Sequence, residues 1–324
     1  MDSLIKKTTT TKRGFTYNYY VSPAAAGKPT LLLQHGFPDT ADEWAHLATQ
    51  HLQPAGYGVI APDMLGYGGT SKPTDPAAYK FGGMTADMVE LLDAEGVDKV
   101  VSLGHDWGSR AAAMLYNLHP GRVSGLVTVN VPYTGAPRGP MDLDAAIAHT
   151  GIWYWKLFTA DDGARLMNEN ADLMFDILHD PDVWMPTICA KDGLRKALET
   201  RGEGFGIKRR AYATEEMKSV FVKRIEQDGF DAPVCWYKSH VFGHQSEESD
   251  PDNQVVNVPT LFLGYPEDVV CKKEGIIHGV KAGLLPKLVN VTLNGAHWGL
   301  MEHPKELGEA VTEWLEKTYG SSKL

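Results

Sequence analysis

The sequence predicts an α/β protein with a mostly parallel central sheet, helices on both faces, and an inserted block of helices. Short continuous apolar runs, typical of buried parallel strands, alternate with amphipathic stretches of helical period. Such alternation is typical of a parallel sheet covered by helices. From residue 133 to about 247 the pattern changes to helical segments with aromatic clusters. We therefore expect a discontinuous core domain, residues 1–132 and 248–324, and a helical cap domain, residues 133–247.

The elements of the expected core can be placed individually. An alternating aromatic stretch at residues 14–22 predicts an antiparallel edge strand leading into the sheet. Continuous apolar runs predict buried strands at 30–34, 58–61, 99–103, 123–129, 256–264 and 288–293. Helical signals lie at 41–53, 84–95, 109–119, 271–282 and 304–319.

A tight turn after the strand at 99–103 is the most informative motif. It reads Gly104-His105-Asp106-Trp107-Gly108 and is followed by a helical stretch. Glycines two residues before and after the central residue suit a strained strand-to-helix turn, because Cβ atoms there would clash. Such a turn presents its central side chain, here Asp106, at the helix N-terminus. The alternative is an ordinary turn whose aspartate only caps the helix.

An aspartate at the centre of this turn indicates a particular chemistry. A serine that attacked a saturated carbon would form an ether, which a catalytic triad cannot hydrolyse. A carboxylate forms an ester instead, and water can attack the carbonyl carbon of that ester. Asp106 therefore points to substitution at an sp³ carbon.

Three motifs together resemble the epoxide hydrolases of the α/β-hydrolase fold. His35-Gly36-Phe37-Pro38 follows the strand at 30–34, the 104–108 turn comes next, and Gly295-Ala296-His297-Trp298 follows the last strand. Their order matches the family over nearly the whole chain. The resemblance implies the α/β-hydrolase fold, and it implies that the backbone N–H groups of Phe37 and Trp107 form an oxyanion hole.

The same family places its nucleophile, acid and histidine in that chain order, which Asp106, Asp268 and His297 satisfy. Asp268 follows an apolar strand, where it could orient the imidazole of His297. Glu267 is the competing acid; Asp268 is favoured because it matches the family position and its shorter side chain is easier to fix. An alternative acid position, after the preceding strand, holds Asn130 and is chemically unsuited.

The leaving group separates the two reactions that an aspartate nucleophile suggests. An alkoxide leaving from an epoxide needs a proton or hydrogen bonds, whereas a halide needs only weak donors. By local context, Tyr154 and Tyr237 resemble the two epoxide-activating tyrosines of the family, and Tyr212 does not. All three could instead be ordinary packing residues of the cap. The expected substrate-binding residues are His35, Pro38, Trp155, Trp236 and Trp298.

These features predict an epoxide hydrolase that forms a vicinal diol through a covalent ester on Asp106, with no metal and no organic cofactor. A haloalkane or haloacetate dehalogenase is the first alternative, since it shares the aspartate and the histidine. An enzyme of the same fold that opens the epoxide with an internal hydroxyl group would carry much the same residues. A non-catalytic ligand-binding member of the fold would not need them.

Charge and the chain termini bear on partners and location. A net charge of −10 without a basic block argues against nucleic acid or an anionic membrane surface as a partner. No apolar run approaches membrane-spanning length. Three cysteines without metal-type spacing suggest free thiols in a reducing compartment. Ser322-Lys323-Leu324 resembles a peroxisomal address read by an import receptor, and without it a cytoplasmic location is expected.

Overall fold

One eight-stranded sheet forms the centre of the protein. The computed structural model describes residues 1, 3–136, 141–245 and 248–320. Within them the strand order is β1-β2-β4-β3-β5-β6-β7-β8. The β1–β2 and β2–β4 pairs are antiparallel and every other neighbouring pair is parallel, which confirms the mostly parallel sheet. The strands are β1 (Ile5–Thr10), β2 (Thr16–Ser22), β3 (Thr30–Gln34), β4 (Gly58–Pro62), β5 (Val100–His105), β6 (Val123–Val129), β7 (Thr260–Gly264) and β8 (Leu288–Thr292).

The helices fall into two groups along the chain. Those before residue 130 and after residue 270 are α1 (Phe81–Ala94), α2 (Trp107–Leu118), α10 (Ile276–Lys281), α11 (Gly299–Glu302) and α12 (Pro304–Tyr319). Those between are α3 (Leu143–Thr150), α4 (Tyr154–Phe158), α5 (Gly163–Asn168), α6 (Ala171–Leu178), α7 (Gly193–Glu199), α8 (Glu215–Asp228) and α9 (Cys235–Val241). The expected single helix at 41–53 is instead a 3₁₀ turn, Ala41–Trp44, and a π-helix, Leu47–Leu52.

Burial explains why the parallel strands are continuous apolar runs. Every residue of β4, β5 and β7 is buried, so these strands need no polar face. Helix α2 packs against β5 and β6, and the small side chains of residues 111–113 are buried at that contact. The chain therefore leaves β5 and enters α2 on top of a tightly packed sheet.

The antiparallel margin of the sheet differs from the prediction. The expected edge strand, β2, is not at the edge, because β1 pairs with it in the register Ile5↔Val21 to Thr10↔Thr16. The sequence of β1, IKKTTT, is polar and largely exposed, so it carries no apolar pattern from which a strand could be predicted. Lysines at such a place are consistent with an edge strand protected against further pairing.

The chain divides into two compact units. Unit 1 comprises Met1–Ser71, Phe81–Pro137 and Glu248–Leu324 and contains the sheet; unit 2 comprises Lys72–Lys80 and Arg138–Glu247. The described residues of unit 2 form helices and turns without a strand. These bounds differ from the expected domains chiefly at residues 72–80, which were assigned to the core. That segment packs within unit 2, where Gln245 donates a hydrogen bond of 2.6 Å to the carbonyl of Tyr79.

Two expectations from the sequence concern location. Ser322, Lys323 and Leu324 lie outside the described residues, so the peroxisomal address remains a prediction of the sequence. Among the helices that the structure describes, none combines the length and apolar character that crossing a membrane requires.

Candidate active site

The turn between β5 and α2 has the geometry that its glycines require. Asp106 adopts φ 51° and ψ −122°, a left-handed conformation that is strained for a residue with a side chain. A Cβ on Gly104 would collide with the backbone of Gly108, and a Cβ on Gly108 would collide with the backbone of Gln34. Close backbone approach therefore explains both glycines and excludes an ordinary capping turn.

A serine fastens this turn to the sheet. The hydroxyl of Ser109 lies 2.6 Å from the carbonyl of Gly104 and 2.9 Å from that of Val129, and it accepts a 3.0 Å hydrogen bond from Val129 N–H. These contacts join the first turn of α2 to the ends of β5 and β6. The strained backbone of Asp106 is thus held in place by the surrounding structure.

Two backbone donors face the carboxylate of Asp106. The N–H of Phe37 lies 2.9 Å from Oδ1, and the N–H of Trp107 also donates to the carboxylate. A Cβ on Gly36 would overlap the Asp106 side chain, which explains why the loop after β3 needs glycine beside Phe37. The two predicted oxyanion donors therefore converge on one carboxylate.

On the other side of Asp106 lies His297. Its Nε2 is 3.6 Å from Asp106 Oδ2, and its Nδ1 is 2.7 Å from Asp268 Oδ2. The three predicted side chains thus form a line, although they follow β5, β7 and β8 in the chain. The parallel strands of the sheet bring their carboxyl ends to one edge. Glu267, the competing acid, is exposed.

The carboxylate of Asp268 is satisfied on both oxygens. Oδ1 accepts backbone N–H groups from Val270 and Cys271, each at 2.9 Å, and Oδ2 accepts from His297 and from Asn130 Nδ2 at 2.7 Å. A carboxylate with four donors is fixed in position, so it can fix the ring of His297 in turn.

The surroundings shift the pKa values of all three side chains, Asp106, Asp268 and His297. Burial raises the pKa of Asp106, against the opposing charge of His297 and the two backbone donors. Burial would also raise the pKa of Asp268, but the charge and hydrogen bond of His297 outweigh it and lower that pKa. For His297, burial acts to lower the pKa, yet the carboxylates of Asp268 and Asp106 raise it to about 9. The resting histidine is therefore protonated at neutral pH.

The first of the three expected substrate-binding residues in unit 1 is His35, which is bonded to the backbone. His35 is buried; its Nε2 accepts the N–H of Met64 at 2.8 Å and its Nδ1 lies 2.9 Å from the carbonyl of Gly36. With both ring nitrogens used by the backbone, His35 stabilises this loop. Its role in substrate binding stays a prediction.

The other two expected substrate-binding residues of unit 1 are Trp298 and Pro38, which lie at the loop after β3. Trp298 donates from Nε1 to Asp39 Oδ2 at 2.8 Å, and its ring meets that of His297 edge-on with centroids 4.8 Å apart. Trp298 is 4% exposed, so it supports the histidine more than it lines a pocket. Pro38 is buried directly after Phe37.

Unit 2 brings the two predicted tyrosines together. The rings of Tyr154, on α4, and Tyr237, on α9, meet edge-to-face with centroids 5.8 Å apart. Phe158 packs against both rings at 4.9 Å. Tyr212 lies elsewhere, with its hydroxyl 2.9 Å from His179 Nδ1. The assignment of Tyr154 and Tyr237, and not Tyr212, as the pair stays a prediction.

The two predicted tryptophans of unit 2 differ. Trp155 is partly exposed and contacts the ring of Tyr237 at 5.0 Å, so it remains a candidate for substrate contact. Trp236 is 2% exposed and packs against Tyr79 at 6.2 Å. Trp236 therefore packs within unit 2, and its role in substrate binding stays a prediction.

Comparison with known proteins identifies the fold. Residues 29–166 match a model of the alpha/beta hydrolase fold, and the chain superposes on an epoxide hydrolase mutant of Vigna radiata with a TM-score of 0.81 at 24% identity, covering 98% of this chain and 100% of the other. This chain has the α/β-hydrolase fold. Epoxide hydrolase A of Mycobacterium tuberculosis is 29% identical over 91% of this chain and 92% of its own length. Epoxide hydrolase 2 of Siraitia grosvenorii is 28% identical over 97% and 99%.

Sequence reasoning misses the contribution of Asn130 to the site. The sequence excludes Asn130 only as an acid, yet its amide donates to the same oxygen of Asp268 that receives His297 Nδ1–H. Asn130 has φ 66°, a left-handed conformation that asparagine tolerates better than most residues. An asparagine directly after a buried strand was the available signal.

Two groups of side chains have a spacing that could hold a metal ion. Among the described residues, Asp268, Cys271 and His297 form one set, and Asp39, Glu43 and His105 another, with the possible ligand atoms of each set within 4.8 Å of one another. In the first set, His297 Nδ1 is bound to Asp268; in the second, His105 Nδ1 lies beside Glu43. The chemistry proposed below uses neither set as a metal site.

Proposed function

We propose that this α/β-hydrolase is an epoxide hydrolase that opens its substrate to a vicinal diol through a covalent ester on Asp106. The observation that carries the proposal is the line from Asp106 through His297 to Asp268, with an aspartate where the nucleophile of the fold is presented. The epoxide hydrolase names of relatives that match nine-tenths or more of the chain support it.

In the first half-reaction, Asp106 Oδ2 attacks a ring carbon of the epoxide. The bond from that carbon to Oδ2 forms as its bond to the epoxide oxygen breaks. Oδ1 stays with the N–H of Phe37 and becomes the ester carbonyl oxygen. Tyr154 and Tyr237 donate to the departing oxygen, and one of them supplies the proton that turns the alkoxide into the first hydroxyl of the product.

Formation of the ester then prepares the base. The negative charge of Asp106 is one of the causes that raise the pKa of His297, and an ester carries no such charge. The pKa of His297 therefore falls when the intermediate forms, and the imidazolium releases its proton to solvent. The neutral imidazole can now accept a proton from water through Nε2.

In the second half-reaction, water attacks the carbonyl carbon of the ester and gives its proton to His297. The negative charge of the tetrahedral intermediate develops on Oδ1, where the N–H groups of Phe37 and Trp107 stabilise it. Cleavage of the bond between Cγ and Oδ2 of Asp106 releases the diol, which carries Oδ2 as its second hydroxyl oxygen and takes the proton from His297. Asp106, left as a carboxylic acid with an oxygen from water, returns its proton to His297, and the tyrosine that gave up a proton regains one from solvent. Asp268 stabilises the imidazolium during this step.

A panel of aryl, alkyl and fatty-acid epoxides, with diol formation measured, tests the proposed function. The same assay on haloalkanes and haloacetates, with halide release measured, tests the dehalogenase alternative. A cyclised product in place of a diol would identify attack by an internal hydroxyl group. Neither turnover nor a covalent adduct with any substrate would point to a ligand-binding protein and contradict the proposal.

A further inference from the structure

Two buried titratable side chains next to the site have no part in the reaction described above. Glu43 lies in the 3₁₀ turn after the Phe37 loop, and His105 is the residue before the nucleophile. His105 Nδ1 is 3.2 Å from Glu43 Oε2, and His105 Nε2 is 3.0 Å from the carbonyl oxygen of His297. A chain of contacts therefore runs from Glu43 through His105 to the backbone of His297.

The backbone carbonyl of His297 determines the protonation of Nε2 in the ring of His105. A carbonyl oxygen only accepts hydrogen bonds, so Nε2 of His105 must carry a hydrogen. Two states then remain for Nδ1. It accepts from a protonated Glu43 if the pair is neutral, or it donates to an ionised Glu43 if the imidazole is charged.

Burial favours the neutral pair. Neither side chain has any solvent exposure, with 0% for both, and a buried pair of charges loses more solvation than its attraction returns unless many further hydrogen bonds support it. Burial raises the pKa of Glu43 well above its ordinary value, and the negative charges of Asp39 and Asp106 raise it further, against a hydrogen bond from the Gly36 backbone.

The environment of His105 leads to the same state. Burial lowers its pKa well below the ordinary value, and the positive charge of His297 lowers it further. His35 acts in the same direction, whereas the bond to the His297 carbonyl and the charge of Asp268 oppose it. The groups that face the pair from the neighbouring loops therefore favour an uncharged imidazole beside an uncharged carboxylic acid.

We propose that Glu43 is a protonated carboxylic acid that donates to His105, and that this neutral relay positions His297 for hydrolysis of the ester. By holding the backbone carbonyl of His297, the relay helps to keep the ring between Asp268 and Asp106, where Nε2 lies 3.6 Å from Oδ2. Glu43 and His105 are positioning residues in this account, because neither touches substrate or the reacting atoms.

The neutral state has its own consequence for catalysis. An ionised Glu43 would add a negative charge beside Asp106 and would stabilise the protonated form of His297. The base would then become available only at higher pH. A protonated Glu43 supplies the hydrogen bond without that charge, so the pKa of His297 depends chiefly on Asp268 and on the state of Asp106.

This inference rests on the proposed function, and two substitutions at one position test it. In Glu43→Gln the amide keeps the shape and can donate to His105, whereas in Glu43→Leu no donor remains. With single-turnover kinetics on a substrate that the wild type hydrolyses, we expect ester hydrolysis within about 3-fold of the wild type for Gln and slower by on the order of 10-fold to 100-fold for Leu. The rate of ester formation should change less in both variants.

The pH profile separates the neutral relay from an ion pair. In Glu43→Gln we expect the pH midpoint of ester hydrolysis to stay within about half a unit of the wild type, since no charge has been removed. If Glu43 were ionised, its replacement would remove a negative charge and move that midpoint to lower pH. Such a shift, or equal slowing by Gln and Leu, would overturn the proposal.

Infrared spectroscopy measures the protonation state of Glu43 directly, in the resting protein and without any substrate. The carboxylic acid C=O band of a buried protonated glutamate should be present in the wild type at neutral pH and absent from Glu43→Gln. Its absence from the wild type would overturn the proposal even if Glu43→Leu failed to fold. A wild type with this band but without epoxide turnover would instead contradict the proposed function and leave the protonated Glu43 intact.

Discussion

The two units hold their functional side chains by different means. In unit 1, Asp106, Asp268 and His297 are fixed by backbone donors, by a strained turn and by direct hydrogen bonds. In unit 2, Tyr154 and Tyr237 lie on helices of five and seven residues, and edge-to-face contacts with Phe158 hold their rings. Backbone geometry and charge thus position the proposed nucleophile, whereas ring packing helps to position the proposed proton donors. Substitutions in unit 1 should therefore be more damaging than substitutions in unit 2.

Replacement of the nucleophile should have the largest effect. Asp106→Asn keeps the shape and tolerates positive φ, but a neutral amide is a poor nucleophile. We expect turnover to fall by more than about 1000-fold, with no covalent adduct by intact-mass measurement and an unchanged circular dichroism spectrum. Slow deamidation would restore activity over time, which mass measurement can follow. An adduct formed immediately by this variant would rule out Asp106 as the attacking residue.

Loss of the base should stop the reaction half-way. In His297→Gln the ester can form, but no group accepts the proton of the attacking water, so hydrolysis should slow by on the order of 100-fold to 10000-fold. Intact-mass measurement should show protein heavier by one substrate. As an independent check, a single turnover of the wild type in oxygen-18 water should label the protein before the diol. Label in the first diol, together with no adduct in His297→Gln, would show that water attacks the epoxide directly.

The tyrosines of unit 2 provide a matched comparison. Tyr154→Phe or Tyr237→Phe removes one donor to the developing alkoxide and should slow ring opening by on the order of 10-fold to 1000-fold, with the double change much worse. Tyr212→Phe is the control, because its hydroxyl lies 2.9 Å from His179 Nδ1. Ester formation measured by single-turnover kinetics decides the matter. A severe effect of Tyr212→Phe with normal Tyr237→Phe would show that the pair was assigned incorrectly.

The contrast between the units also explains what could be predicted from sequence. The parallel strands and the turn at residues 104–108 were predictable because continuous apolar runs and spaced glycines directly reflect burial and backbone clashes. Strand β1 was not predictable from its own sequence. That sequence is polar, and it forms a strand because it pairs with β2. Residues 72–80 join unit 2 through contacts of Tyr79 with Trp236 on α9 and with Gln245, both of which are distant in sequence.

Partners of the site residues were the least predictable part. The roles of Asn130 and Glu43 depend on which side chains meet at the end of the sheet, and no local pattern encodes that meeting. The motifs of His35 and Trp298 indicate a site, but only the structure shows that His35 bonds to the backbone and Trp298 to Asp39. Motifs therefore locate a site more reliably than they assign what each residue does there.

The smallest expected effect is on the pH dependence of stability. This effect measures how much the ion pairs of His297 stabilise the folded protein. The folded protein raises the pKa of His297 to about 9, above the ordinary value of about 6.5. The stabilisation from its ion pairs is therefore fully present below about pH 6.5 and is lost as the pH rises through about 9, with an upper limit of about 3 kcal/mol. We expect the melting temperature of the wild type to fall by several degrees between these limits. His297→Gln should lack this component, because glutamine does not titrate, so the two melting curves should converge as the pH increases. Parallel pH dependence in both proteins would mean that His297 gains no net stabilisation from Asp268 and Asp106, and that packing, not charge, holds the three residues in place.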